Sequence, residues 1–115
     1  MIEQHTLTFL AELAENNHRE WFEDNRKRYK QAKENFLSFI DRLIPEMQEF
    51  DPGVHDQIAK NCMFRINRDI RFAKDKSPYK TNFAASIAKG GKKSPYAGYY
   101  VHLKPGESMA GGGNY

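Results

Sequence analysis

The chain has 115 residues, room for one domain at most, and a chain of this size buries well under three-quarters of its unfolded surface. Aromatic residues make up 13% of it, with eight Phe, six Tyr and one Trp, which is enough for a packed core and excludes a disordered polymer. The single cysteine, Cys62, excludes an intrachain disulfide and a cysteine-based metal cage, and a formal charge of +3 is low for a dedicated duplex-DNA binder.

Thr6 to Glu15 reads as a short helix, because Phe9, Leu10 and Leu13 fall at i, i+1 and i+4 on one face and Asn16-Asn17 suits a C-terminal stop. Asn17 then caps the next helix, with Glu20 three residues on, a loose form of the capping box. In that second, long helix Phe22, Tyr29, Phe36, Leu43 and Phe50 recur every seven residues. Ala32, Phe39, Ile40 and Met47 fill the intervening positions, so the apolar stripe is continuous. Glu23–Lys27 and Asp24–Arg28 are i,i+4 pairs in the favourable order. Pro45 kinks or ends the regular helix, since it lacks an N–H and crowds the carbonyl of Asp41, and Asp51-Pro52-Gly53 is a turn.

After residue 60 the period changes. Phe64, Ile66, Ile70 and Phe72 share one parity and Arg65, Asn67, Asp69 and Arg71 the other, which predicts a strand over about 62–66 with one apolar face. Phe83, Ala85 and Ile87 form a second alternating strand. Tyr99 to Leu103 form a third, apolar enough on both parities to be central. The segment from Lys89 to Pro95 connects them, and Pro105-Gly106 turns into a fourth strand over Ser108 to Gly111. Helices first and hairpin strands second give an α+β domain, a short helix and a long amphipathic helix packed on an antiparallel β-meander.

The chemistry concentrates in Phe64 to Thr81, where six cations and two aspartates stand among aromatics. Residues 1–60 carry eight Lys/Arg against twelve Asp/Glu, and residues 61–115 carry ten against three, so the second half should attract anions. Arg65, Arg68, Arg71, Lys76 and Lys80 supply the N–H donors of a candidate anion site, with Tyr79 held at a defined angle after Pro78 and with Asp69 and Asp75 as ion-pair partners. The competing expectation is a closed network in which the two aspartates bind two of the arginines, acids of the long helix take the rest, and the motif only staples sheet to helix.

Other constellations carry less. His5, His18, His55 and His102 are scattered without metal-ligand spacing, so no metal site is expected. Gly90-Gly91 with Lys92-Lys93 lacks the spacing and the Lys-Ser/Thr ending of a phosphate-binding loop. Trp21 reads as a core anchor rather than a stacking platform, and Cys62 as a small buried hydrophobe beside Met63. No apolar run approaches the ~20 residues of a membrane helix, and the start of the chain lacks the pattern of a signal peptide, so a reduced cytoplasmic protein without a membrane partner is expected.

Asn16-Asn17-His18-Arg19-Glu20-Trp21-Phe22, Tyr29, and then Phe64-Arg65-x-x-Arg68-Asp69-x-Arg71-Phe72-x-x-Asp75-Lys76-x-Pro78-Tyr79-Lys80 resemble the uncharacterised "conserved hypothetical" family of bacteria and fungi, a domain of unknown function. Gly98 to Leu103 and the Gly-rich close fit as well, so the resemblance spans essentially all 115 residues. It implies no activity, substrate or cofactor and carries over no catalytic residue. It also implies members that continue past a Gly-rich strand, so residues 1–115 are expected to be one domain and the N-terminal portion of a longer one.

The leading expectation is therefore an anion-binding domain whose ligand is a phosphate-bearing small molecule or a nucleic-acid end. Its preorganised cations would equally stabilise developing charge in an enzyme. The alternative is a non-catalytic structural or interaction module. A third option, nucleic-acid binding through the basic second half, predicts affinity that falls steeply with salt.

Overall fold

Helices fill the first half of the chain and strands the second. The computed structural model describes residues 2–49, 52–54, 57–88, 91, 98–106 and 109–113, the last five by backbone alone. Helix α1, Gln4–Glu15, buries Thr6, Phe9, Leu10 and Leu13 on the face its periodicity predicts. Asn35 Oδ1 accepts from the Glu3 N–H at 2.7 Å and from the Thr6 hydroxyl at 2.7 Å, which satisfies the fully buried Thr6 side chain.

The long helix is in fact two. Helix α2, Arg19–Asp24, is separated from α3, Arg26–Gln48, by Asn25, whose φ of −112° and ψ of 18° are not helical. The Asn25 side chain donates to the Trp21 carbonyl at 2.9 Å, the local competition with helix bonding for which asparagine is suited. Nor does Asn17 cap α2. His18 takes that place, its Nδ1 accepting from the Trp21 N–H at 3.4 Å.

Phe22 is buried and Tyr29 half-buried, but the fully buried line of α3 then runs through Ala32, Phe36, Ile40 and Ile44. Leu43, a heptad position, is left half-buried because a 3.6-residue helix drifts away from a seven-residue repeat. Pro45 does not end the helix, which runs on to Gln48. Of the expected Asp51-Pro52-Gly53 turn, Pro52–Val54 form a 3-10 turn that buries Val54, while Asp51, like Phe50 and His55, lies outside the described residues.

The strand expected over 62–66 does not form. Ala59–Cys62 make one helical turn, α4, and Met63 then meets Ala85 in a single antiparallel bridge. Strands β1, Phe83–Ile87, β2, Gly98–Leu103, and β3, Met109–Gly113, form a sheet in the order β1-β2-β3, every neighbour antiparallel, with β2 central as expected. Ala85 pairs with Val101, and Val101 with Ala110. Gly106, at φ +79°, makes the turn between β2 and β3. Phe83, Ala85, Ile87, Val101 and Leu103 close one core with Phe9, Phe22, Phe36 and Ile40. The architecture is α+β, helices against an antiparallel meander. Most of the 89–95 connection, with Lys92-Lys93, and also Ser108, lies outside the described residues.

Candidate functional site

The motif does not continue the sheet; it folds back on itself. Phe64 N–H donates to Ala84 O at 2.9 Å, and the chain then leaves β1. Lys80 N–H donates to Ile66 O at 2.8 Å and Arg68 N–H to Pro78 O at 2.9 Å, so residues 66–80 form a loop closed like a hairpin at its neck, with Asn67 bridging Tyr79. At the tip Ala73 N–H reaches Ile70 O at 3.3 Å. That turn reverses the parity of the apolar residues. Ile66 is buried, whereas Phe72 is 92% exposed, so the single apolar face read from 64–72 ends at the neck.

Asn17 pins the neck. Its side-chain amide donates to Tyr79 O at 2.8 Å and accepts from Tyr79 N–H at 3.1 Å, the pairing a neighbouring strand would offer. The Tyr79 ring stacks on Phe22, centroids 4.1 Å apart and planes 17° off parallel. The two segments that carry the family resemblance therefore meet at Tyr79.

The structure divides the predicted cations. Arg68, Asp75, Tyr79 and Lys80 line one cleft of about 350 Å³ together with Asn17, Ser77, Thr81 and Asn82. Arg65, Arg71, Lys76 and Asp69 do not line it. Arg71 is closed onto Asp69 at 3.0 and 2.8 Å, which holds the Asp69 carboxyl below the usual carboxylate range. Lys76 Nζ donates to Ile70 O at 2.7 Å, within the loop, and Arg65 is exposed.

Asp75 Oδ1 accepts from the Ser77 hydroxyl at 2.6 Å and the Ser77 N–H at 2.9 Å. These bonds, with Arg68 adding to them, lower its pKa from the ordinary aspartate range. Arg68 Nη1 donates to Ser77 O at 2.9 Å and Asp75 O at 3.4 Å and stands 3.4 Å from Asp75 Oδ2. Its Nε–Nη2 edge has no partner among the described residues. Lys80 Nζ lies 5.8 Å from the Phe64 ring centroid.

Among the described residues, two acids of the first half pair with cations of their own half rather than with the motif. Glu12 binds Arg28 at 2.8 and 3.2 Å, and Glu23 binds Arg26 at 2.6 and 3.1 Å, in place of the expected i,i+4 pairs. Trp21 stacks on Phe9 at 5.9 Å with Arg28 over its ring, a packing role. Cys62 is buried. Among the described residues no cluster of His, Cys, Asp and Glu has the arrangement of a metal site, and no helix is long and apolar enough to cross a membrane.

Asn17, Thr81 and Asn82 stand in the cleft, but the sequence reading did not place them there. Asn17 sits 62 residues from the backbone it binds, and no local spacing reveals such a contact. Residues 5–115 match the family described as "Conserved hypothetical protein (DUF2461)". No curated protein and no solved structure gives a significant match to the chain.

Proposed function

We propose, for a chain that belongs to the DUF2461 family of conserved hypothetical proteins, that the Arg68 cleft binds an anion, the phosphate of a small molecule or of a nucleic-acid end. The observation that carries the reading is the half-engaged guanidinium. Arg68 is fixed along Nη1 by two carbonyls of its own loop, while its Nε–Nη2 edge has no partner among the described residues. Such an edge matches two oxygens of a phosphate or carboxylate in parallel, and fixing it beforehand removes part of the ordering cost of binding. Lys80 adds charge, and Ser77, Thr81, Asn17 and Asn82 supply hydroxyls and amides around the same space. Asp75 is the only carboxylate among the described residues that line the cleft.

Thermal melts with millimolar phosphate, pyrophosphate and nucleotide test this. The expected result is a rise in Tm that Arg68→Gln and Lys80→Gln reduce. No rise with any of the three sinks the reading.

The second reading, a loop stapled by its own charges, is favoured by the Arg71–Asp69 pair and the Lys76–Ile70 contact. Asp75 is 71% exposed, so its pair with Arg68 is screened by solvent and the two carbonyl bonds do more of the stapling. Under this reading Arg68→Gln lowers Tm by the same amount with and without phosphate. Under the first, the phosphate-dependent increment itself shrinks.

A further inference from the structure

A second cleft, of about 560 Å³, lies between α2, α3 and the neck of the loop. It shares Tyr79 with the Arg68 cleft but none of its charged residues. Arg19 and Glu23 reach it from α2, Arg26 and Lys33 from α3, and Asn67 from the loop. Three cations thus face one carboxylate. Glu23 is committed to Arg26 at 2.6 Å, which leaves the positive charge of Arg19 and Lys33 in surplus.

Two phenols line the same space. Tyr79 is only 5% exposed, and its hydroxyl has no hydrogen-bond partner among the described residues. No buried side-chain oxygen or nitrogen among the described residues is sealed off without a partner, so this hydroxyl keeps access to one of the two clefts that Tyr79 lines. Both phenols line the cleft beside Arg26. Burial pushes the Tyr29 phenol above its ordinary range, so it remains an O–H donor at neutral pH. A 95%-buried phenol lining the same cleft as surplus cations meets the requirement of an oxyanion for donors and charge together.

We propose that this cleft is a binding site for a phosphate monoester dianion, with Arg19, Arg26 and Lys33 supplying charge and the Tyr29 and Tyr79 hydroxyls donating to its oxygens. The charge count selects this class. A phosphate monoester carries about −1.5 to −2 at neutral pH, which matches a surplus of two, whereas a sulfate ester of the same shape carries a single charge.

The proposal goes beyond the Arg68 reading and does not depend on it, and NMR titration of the whole chain with phenyl phosphate and with phenyl sulfate separates the two. Saturable shifts of the Arg26 Nε–H and Asn67 amide signals are expected, with phenyl phosphate binding about tenfold tighter than phenyl sulfate. The double variant Arg19→Gln/Lys33→Gln should weaken phenyl phosphate by about tenfold or more, and Arg68→Gln should leave these shifts unchanged. Tyr79→Phe keeps the stacked ring and should weaken binding severalfold. Lowering the pH from about 7.5 to about 5.5, across the second phosphate ionisation near 6, should weaken it about fourfold with the dianion fraction. Absence of saturable shifts, equal affinity for the two esters, or full binding by the double variant in a spectrum that remains dispersed would overturn the proposal. Shifts confined to Arg68 would overturn it while supporting the site on the other cleft.

Discussion

Asn17 shows how much one side chain can organise. A single amide satisfies both the N–H and the C=O of Tyr79, so removing it leaves two half-buried backbone groups to find water. Asn17→Ala is expected to cost about 2 kcal/mol, read as a lower urea midpoint at unchanged m-value. The charged tip of the loop behaves differently. Asp69 is held below its usual range first by hydrogen bonding from the Arg71 side chain. A depressed carboxyl stabilises the fold fully above its unfolded value of about 3.9, and that contribution is lost as the pH falls through the lower folded value. Carboxyl NMR should therefore place the Asp69 midpoint below the free-aspartate value, and Arg71→Gln should raise it toward that value. An unchanged midpoint in that variant would show that Arg71 is not the cause.

At the scale of elements, β2 can lie beside β1 only because residue 98 has no side chain. A Cβ there would stand 2.6 Å from both Ile87 O and Ala88 Cβ, and the carbonyl cannot yield without disturbing β1. Gly98→Ala is expected to destabilise by about 2–3 kcal/mol in chemical denaturation, and a neutral result would mean that the start of β2 is free to move away from β1. The elements legible in the sequence were those whose pattern is read in one environment: α1, which buries the predicted face, β1, which buries Phe83, Ala85 and Ile87, and β2, which lies at the centre of the sheet. The strand expected over about 62–66 does not form because strict alternation signals a strand only while the chain runs straight: Ala59–Cys62 take a helical turn, and the chain leaves β1 after Phe64. The break at Asn25 was hidden by a heptad stripe that crosses it unbroken in sequence. The candidate site was half legible. Arg68, Asp75, Tyr79 and Lys80 do gather in one cleft, whereas Arg71 and Lys76 are used up inside the loop. The cations at 19, 26 and 33 are hidden in the half of the chain whose net charge is negative. Their spacing of seven residues on helical segments was nevertheless visible evidence of a shared face.

Across the whole molecule, order should decline toward the sheet edge formed by β3. That strand is made of Met-Ala-Gly-Gly-Gly and pairs with β2 on one side. Glycine loses the most backbone freedom on ordering and offers no side chain to hold it down. Hydrogen exchange is expected to be faster at 109–113 than at 99–103, or else the chain self-associates along this edge. Equal protection in a protein that scatters light as a monomer would refute this. The pin between Asn17 and Tyr79 has a further consequence, one of time. The two residues are 62 apart in sequence, so their contact closes a long loop, and the entropy of closure is spent before the contact returns anything. A bond of that kind is expected late, after the helices and the β1–β2 hairpin have come together. In stopped-flow denaturant jumps Asn17→Ala should then steepen loss rather than hinder gain, with a faster unfolding limb and a refolding limb close to the parent's. The clefts on either side of Tyr79 would exist only in chains that have completed folding, and Asn17 would set how long each chain keeps them.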